Sequence, residues 1–352
     1  MNAPSVRLSQ RSALVAVRAF LGRYGLILTL LVLPVLYGIQ DLSEEGDLSR
    51  LGNNLMDGLS NGAIWALIAL GYTLVYGIIE LINFAHGDTF MIGSFVAVGM
   101  FTTVGLTAQT SWALLVLGLI VVLAVTAAAT GVLAVMIEQV AYAPLRDAPR
   151  FAPVLTAVGM SFILQNVGLL WLGPTPVSVP DLVGSDRELL SLGDVSISRG
   201  DVLALAIPVP LLILLTLFVS RSRLGRAMRA SAQNPTAARL MGINVDTTIA
   251  VTFLIGGLLA GAGGLVYALY QTTVWYFQGF TSGLIAFTAA VVGGIGNLKG
   301  AVIGGLLIGV IQSLSDNRIG PDWTVIVVFT YLIFIIVLKP DGLFGKRGRT
   351  AG

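Results

Sequence analysis

The side chains that could carry acid–base or ligand chemistry concentrate in INFAHGDTFMIGSF (82–95), which holds the only histidine of the chain. There an amide, an imidazole and a carboxylate, Asn83, His86 and Asp88, lie between two strongly apolar runs. Such a set could act as a general base with an orienting acid, as a metal site, or as a polar station on a pathway. Catalysis lacks its other parts: there is no cysteine to serve as a nucleophile and no second histidine to serve as a partner base. A metal would find only His86 and Asp88, two residues apart, which is too few ligands. The plain structural alternative is a capping turn, with Asp88 just ahead of a helix as its N-cap. Two adjacent amides, Gln165 and Asn166, lie well inside another apolar run. Polar groups at membrane depth are costly, and they mark either a substrate pathway or a bond between helices.

The elements that must position these residues are membrane helices. The 352 residues are 56% hydrophobic and 11% charged, with a mean hydropathy of +0.89. A water-soluble domain cannot hide that much apolar surface. Apolar runs cover approximately 24–40, 59–79, 89–107, 112–137, 152–173, 202–220, 247–270, 284–314 and 323–338. Most have the roughly 17 to 25 residues that cross a hydrocarbon core as a helix. Nothing alternates as a β-barrel strand would. The expected fold is an all-α polytopic membrane protein of about eight to ten segments. The first run follows Arg7, Arg11, Arg18 and Arg23 and lacks a cleavage site after it, so it reads as a retained helix.

Sorting the loops by charge, with the N-terminus inside, leaves 16 of the 20 Lys and Arg on the inner side. Only Arg50, Arg187, Arg199 and Arg318 fall outside. The asymmetry follows the positive-inside rule, so the pI near 9.0 reports orientation rather than nucleic-acid binding. Parity then requires the segment 284–314 to start and finish on the outer side. It breaks at GGIGNLKG (293–300), which predicts a hairpin turning at Lys299, made of two short helices or a re-entrant loop. Pro208 and Pro210 predict a kink in 202–220. Gly257 and Gly261, Ala260 and Gly264, and Gly305 and Gly309 have the small-xxx-small spacing of tightly packed helices. A weak internal echo links HGDTFMIGSFVAVG (86–99) with KGAVIGGLLIGV (299–310). Transporters are often built from repeats whose broken helices meet at the substrate site.

On the inner side, SRSRLGRAMRASAQNPTAARLMGINVD (220–246) carries five arginines against one acid, Asp246. Residues 222–232 predict a short amphipathic helix, interrupted by Asn234 and Pro235 and followed by a second short turn. A basic loop that only holds anionic lipid needs no such periodicity, so a docking helix for a cytoplasmic partner is expected. No G-x-x-x-x-G-K-[ST] occurs: in PDGLFGKR (340–347) a proline replaces the first glycine. The chain is therefore expected to bind no cofactor itself, with ATP held by a partner subunit.

Four ordered motifs, GYTLVYGIIELINFAHGDTFMIG (71–93), SFILQNVGLLWLG (161–173), GRAMRASAQNPTAARLMGIN (225–244) and AFTAAVVGGIGNLKGAVIGGLLIGVIQ (286–312), resemble the permease of bacterial branched-chain amino acid ABC importers. The H-type subunit is the closer match. The resemblance runs from about residue 50 to the end. It implies a transport subunit rather than an enzyme, in the bacterial inner membrane; the charge sorting is what places both termini on the cytoplasmic side. It also implies a homologous second permease (a heterodimer, with a homodimer the alternative), two cytoplasmic ATPases and a periplasmic binding protein. Urea and short-chain amide importers use sister permeases with similar strings, and an ATP-independent channel is the alternative of another class. The carried-over coupling segment comprises Gly225, Arg226, Arg229, Ala230, Asn234, Pro235, Arg239, Gly242 and Ile243. The substrate-pathway candidates are Asn83, His86, Asp88, Gln165, Asn166, Gly293, Gly294, Gly296 and Asn297. The expected organisation is an N-terminal extension with the first helix (1–50), a transmembrane domain (51–338) with its coupling loop at 221–246, and a basic tail (339–352).

Overall fold

Lipid offers no partner for backbone N–H and C=O groups, and the chain satisfies them within helices. The computed structural model describes residues 25–345 apart from Leu26, Glu45, Asp147, Arg150, Asp186 and Asp194. Arg7, Arg11, Arg18, Arg23, Arg150, Lys346, Arg347 and Arg349, which the charge sorting uses, lie outside the described residues. The helices are α1 (27–44), α2 (Ser49–Ile79), α3 (Ala85–Val104), α4 (Trp112–Ile137) and α5 (Phe151–Leu172). Then come α6 (Arg199–Ala206), α7 (Pro208–Arg221), α8 (Arg223–Gln233), α9 (Pro235–Leu240) and α10 (Val245–Gln271). The last are α11 (Gln278–Gly293), α12 (Leu298–Arg318) and α13 (Thr324–Leu338). A π turn, Glu138–Tyr142, prolongs α4. Among the described residues, nine helices or helix pairs are long and apolar enough to span a membrane, and α11 is a shorter apolar tenth. The predicted hairpin is thus two helices joined at residues 294–297. The predicted kink is a break after Ala206, where Pro208 opens α7 at a position that needs no donor.

Burial sorts the helices into a centre and a shell. In the most apolar window of each, 78% of α2 and 72% of α10 is buried, against 28% of α4, α5 and α13. Glycine allows the central contacts, which form within the bundle. A Cβ at Gly305 would come 2.6 Å from the Ala66 backbone on α2, and one at Gly257 would come 2.8 Å from Gly131 on α4. Both are closer than real Cβ atoms approach, so only glycine lets these backbones meet. The shell helices turn Leu, Val and Ile outward, as lipid permits.

The two ends of the bundle differ. One gathers the α2–α3 junction, α8 and α9, the α11–α12 turn and the end of α13. There Arg146 pairs with Glu138 and with Asp246. The other end carries two small antiparallel pairs, β1 (Val177–Ser178) with β4 (Thr273–Val274) and β2 (Glu188–Leu192) with β3 (Val195–Ser198). On that side Arg318 forms a buried ion pair with Asp41, its guanidinium 5.2 Å from the Tyr37 ring, which fastens α1 to α12.

Candidate functional site

The α2–α3 junction begins where Glu80 adopts a left-handed conformation (φ 53°) and ends α2. Helix α3 starts at Ala85, four residues earlier than the hydropathy edge. His86 and Asp88 therefore lie inside its first turn, and Asp88 is not an N-cap: Phe84 holds that position, without a side-chain bond. Two residues apart on a helix, His86 and Asp88 point in different directions.

His86 is buried between α2 and α10. Its ring lies edge-on to Tyr72 (centroids 4.8 Å apart) and fills the space left by Gly71. The ring is within hydrogen-bonding reach of the Ile68 backbone on α2. Gly71 is eight residues, about 12 Å of helix rise, from the end of α2, so the imidazole is a plug in the bundle interior. Asn83 lies nearer the end, where its Oδ1 accepts a hydrogen bond from the Tyr142 hydroxyl at 3.2 Å.

Asp88 turns toward α5 and α11 and is fully buried. Its Oδ2 accepts from Ser161 Oγ and, at 3.5 Å, from Gln165 Nε2. Gln165 Nε2 also donates to Ser161 Oγ at 3.0 Å. Oδ1 has no donor and faces Gly279 in the first turn of α11, where a Cβ would come within 2.6 Å of it. Free N–H groups and the helix dipole in such a first turn favour a negative charge. Beside this group opens a cleft of about 200 Å³ between α5 and α11, walled by Tyr72, Phe84, Phe162, Phe280 and Phe287, with Ser161 and Gly279 on its lining. Asn166 is not part of it: the side chain is exposed and donates at 2.8 Å to the Phe162 carbonyl of its own helix. The structure thus joins Asp88 with Gln165 and separates both from His86 and Asn166.

Ser161 escaped sequence reasoning, although it stands four residues before Gln165 on one helix face in an apolar run. That spacing is the signal that could have found it. The four phenylalanines carried none, since each is an ordinary apolar residue until α5 and α11 come together.

The second group of candidates forms the α11–α12 turn. Gly294 (φ +103°) and Gly296 (φ +85°) take conformations that side chains rarely adopt. Asn297 caps α12, its Oδ1 accepting from the N–H groups of Lys299 (3.1 Å) and Gly300 (3.2 Å). The segment after α13 closes over the turn: Leu343 N–H donates to Val292 O (2.8 Å) and Phe344 N–H to Gly293 O (3.0 Å). Asn297 Nδ2 donates in turn to Phe344 O at 2.8 Å. Gly293 and Gly294 are therefore packed under this clamp. Gly296 and Asn297 instead face a cavity of about 560 Å³ shared with Gly77 of α2, Val219 of α7, and Met228 and Arg229 of α8.

Helices α8 and α9 form the expected helical loop. Ser222 caps α8 through the Gly225 N–H (2.8 Å), and Asn234 caps α9 through the Ala237 N–H (2.9 Å). Gly225 packs on the Val219 backbone, and Arg229 donates to the Val219 and Ser220 carbonyls at the end of α7. Cationic donors at a helix C-terminus satisfy its unpaired carbonyls, so Arg229 holds α8 in place. Arg226, Asn234, Pro235, Arg239 and Gly242 are exposed, whereas Ala230 and Ile243 are half-buried. The charge pattern hid a further feature: Leu240 and Met241 are 84% and 82% exposed at the end of α9.

A protein family described as branched-chain amino acid transport system / permease component matches residues 54–338. The chain is 39% identical over 294 residues to the high-affinity branched-chain amino acid transport system permease protein BraD of Pseudomonas aeruginosa, covering 83% of this chain and 95% of the relative. It is 38% identical over 297 residues to the LivH permease protein of the same description from Escherichia coli K12, covering 83% and 94%. A shorter similarity, 28% over 148 residues and 39% of each chain, links it to the nucleoside ABC transporter permease protein NupB of Lactococcus lactis. No solved structure matches the chain.

Proposed function

The chain belongs to the branched-chain amino acid transport permease family, and from that premise we propose that it is the membrane permease subunit of an ATP-driven importer of branched-chain amino acids. In this reading the protein sits in the inner membrane with both termini inside, as its charge asymmetry supports. ATP is bound and hydrolysed by two cytoplasmic subunits docked on α8 and α9. A homologous second permease completes the pathway, and a binding protein delivers the amino acid on the outer side.

The observation that carries the reading is the exposed pair Leu240 and Met241, flanked by Arg239. The pair lies on the arginine-rich side of the bundle, which this reading places in the cytoplasm. Two nearly bare large apolar side chains beside exposed charges fit an interaction surface. Closure of the ATPases would push α8, which lies against α2 and α10, toward the cavity it shares with the α11–α12 turn. Rocking about the broken helices then exposes the pathway alternately to each side.

The double substitution Leu240→Ser, Met241→Ser tests the assignment. Copurifying ATPases and ATP-driven uptake should both fall, with the permease still folded in the membrane. Full ATPase retention and full uptake would sink it. Reversing the charges of Arg226 and Arg229 is a less clean test, because Arg229 also anchors α8 to α7.

A further inference from the structure

The cleft between α5 and α11 combines three features. Asp88 is 0% exposed, yet one carboxylate oxygen has no donor. That oxygen lies against Gly279, and Gly279 lines the cleft, so only a residue without a side chain separates the acid from the open space. Most of the remaining large side chains of the wall are aromatic, with phenyl rings from α5 and α11 beside Val158 and Leu284, and Phe162 and Phe280 stay substantially exposed. Burying a carboxylate with an oxygen left over is expensive, whereas filling that position with a non-polar neighbour would cost little.

We infer that this cleft is a substrate station that takes an α-amino acid with an aliphatic side chain, the ammonium going to Asp88 and the side chain to the phenyl rings. The inference deepens, and rests on, the reading of the chain as an amino acid importer permease. An ammonium supplies the missing donors, and aromatic faces attract cations as well as aliphatic groups. Ser161 and Gln165 are positioning residues, since both hold Oδ2 and so aim Oδ1 at Gly279. At about 200 Å³ the space is below the roughly 300–1,000 Å³ of drug-sized sites, which suits a small metabolite.

The absence of cysteine allows a direct test. In permease carrying Phe280→Cys and purified with its partner subunits, the rate of thiol labelling reports whether the cleft is filled. L-leucine and isopentylamine, which carry the ammonium, should slow labelling, and 4-methylpentanoate, which carries only the carboxylate, should not. Adding Asp88→Asn, a near-isosteric change, should weaken protection by both amines about tenfold to a hundredfold, as for the loss of one hydrogen bond to a charged group. Asp88→Glu should retain the preference for amines. Equal protection by amine and acid, or an amine preference that survives Asp88→Asn, would overturn the inference. If amine selectivity fails while ATP-driven leucine uptake stands, the station lies elsewhere and the importer reading survives. If the unaltered assembly takes up no branched-chain amino acid, both fall.

Discussion

The two helix starts that echo each other in sequence, at His86 and at Lys299, meet opposite fates. Each places a polar residue and glycine ahead of an apolar run, and each opens a helix that packs centrally. At the α11–α12 turn the polar groups are spent locally: Asn297 caps α12 and donates to Phe344, and two N–H groups from the tail bind the turn. At the α2–α3 junction local bonding stops short, leaving Asp88 Oδ1 unpartnered in the interior. A polar residue next to a glycine in a membrane chain therefore says little by itself. What separates a fastening from a working site is whether every polar atom is already satisfied at home.

Substitutions can break or sharpen this contrast. The largest effect is expected at Gly309→Leu, which would drive a side chain into the Gly58 and Gly62 backbone of α2. Overpacking costs about 1–3 kcal/mol or more, so folded protein recovered from the membrane should fall sharply, by size-exclusion profile. Asp88→Asn should come next, with leucine uptake down about tenfold or more and thermal stability hardly changed. Loss of stability and uptake together would make Asp88 a fastening after all. Asn297→Ala should do the reverse, costing about 1 kcal/mol of stability through the lost cap while substrate preference stays the same in competition assays. His86→Ala should leave a void beside Gly71 and lower stability by about 1–2 kcal/mol, with uptake kept. The smallest effect is expected at Asn166→Ala, within about 0.5 kcal/mol and silent in transport, because that amide bonds only its own helix.

The helices, the hairpin break and the α8–α9 loop were legible because lipid enforces length, glycine marks turns, and arginine marks one side. Glycine spacing foretold close packing but not the partner: Gly257 could equally have met a second chain, and the fold puts α4 there. The start of α3 was misplaced because Ala85 to Asp88 are too polar to extend a hydropathy window, yet their backbone is helical. The grouping of Asp88 with Ser161, Gln165 and Gly279 was out of reach, since it depends on three helices far apart in sequence. So did the exposure of Leu240 and Met241, which hydropathy alone would assign to a core.

The clamp over the α11–α12 turn also bears on how the protein is made. Its donors, Leu343 and Phe344, leave the ribosome after every helix of the bundle, so the turn stays unfastened until then. Val292 and Gly293 keep bare carbonyls through that interval. A chain halted just short of Leu343 would hold every described membrane helix and still lack the closure. Insertion and completion are thus separable events.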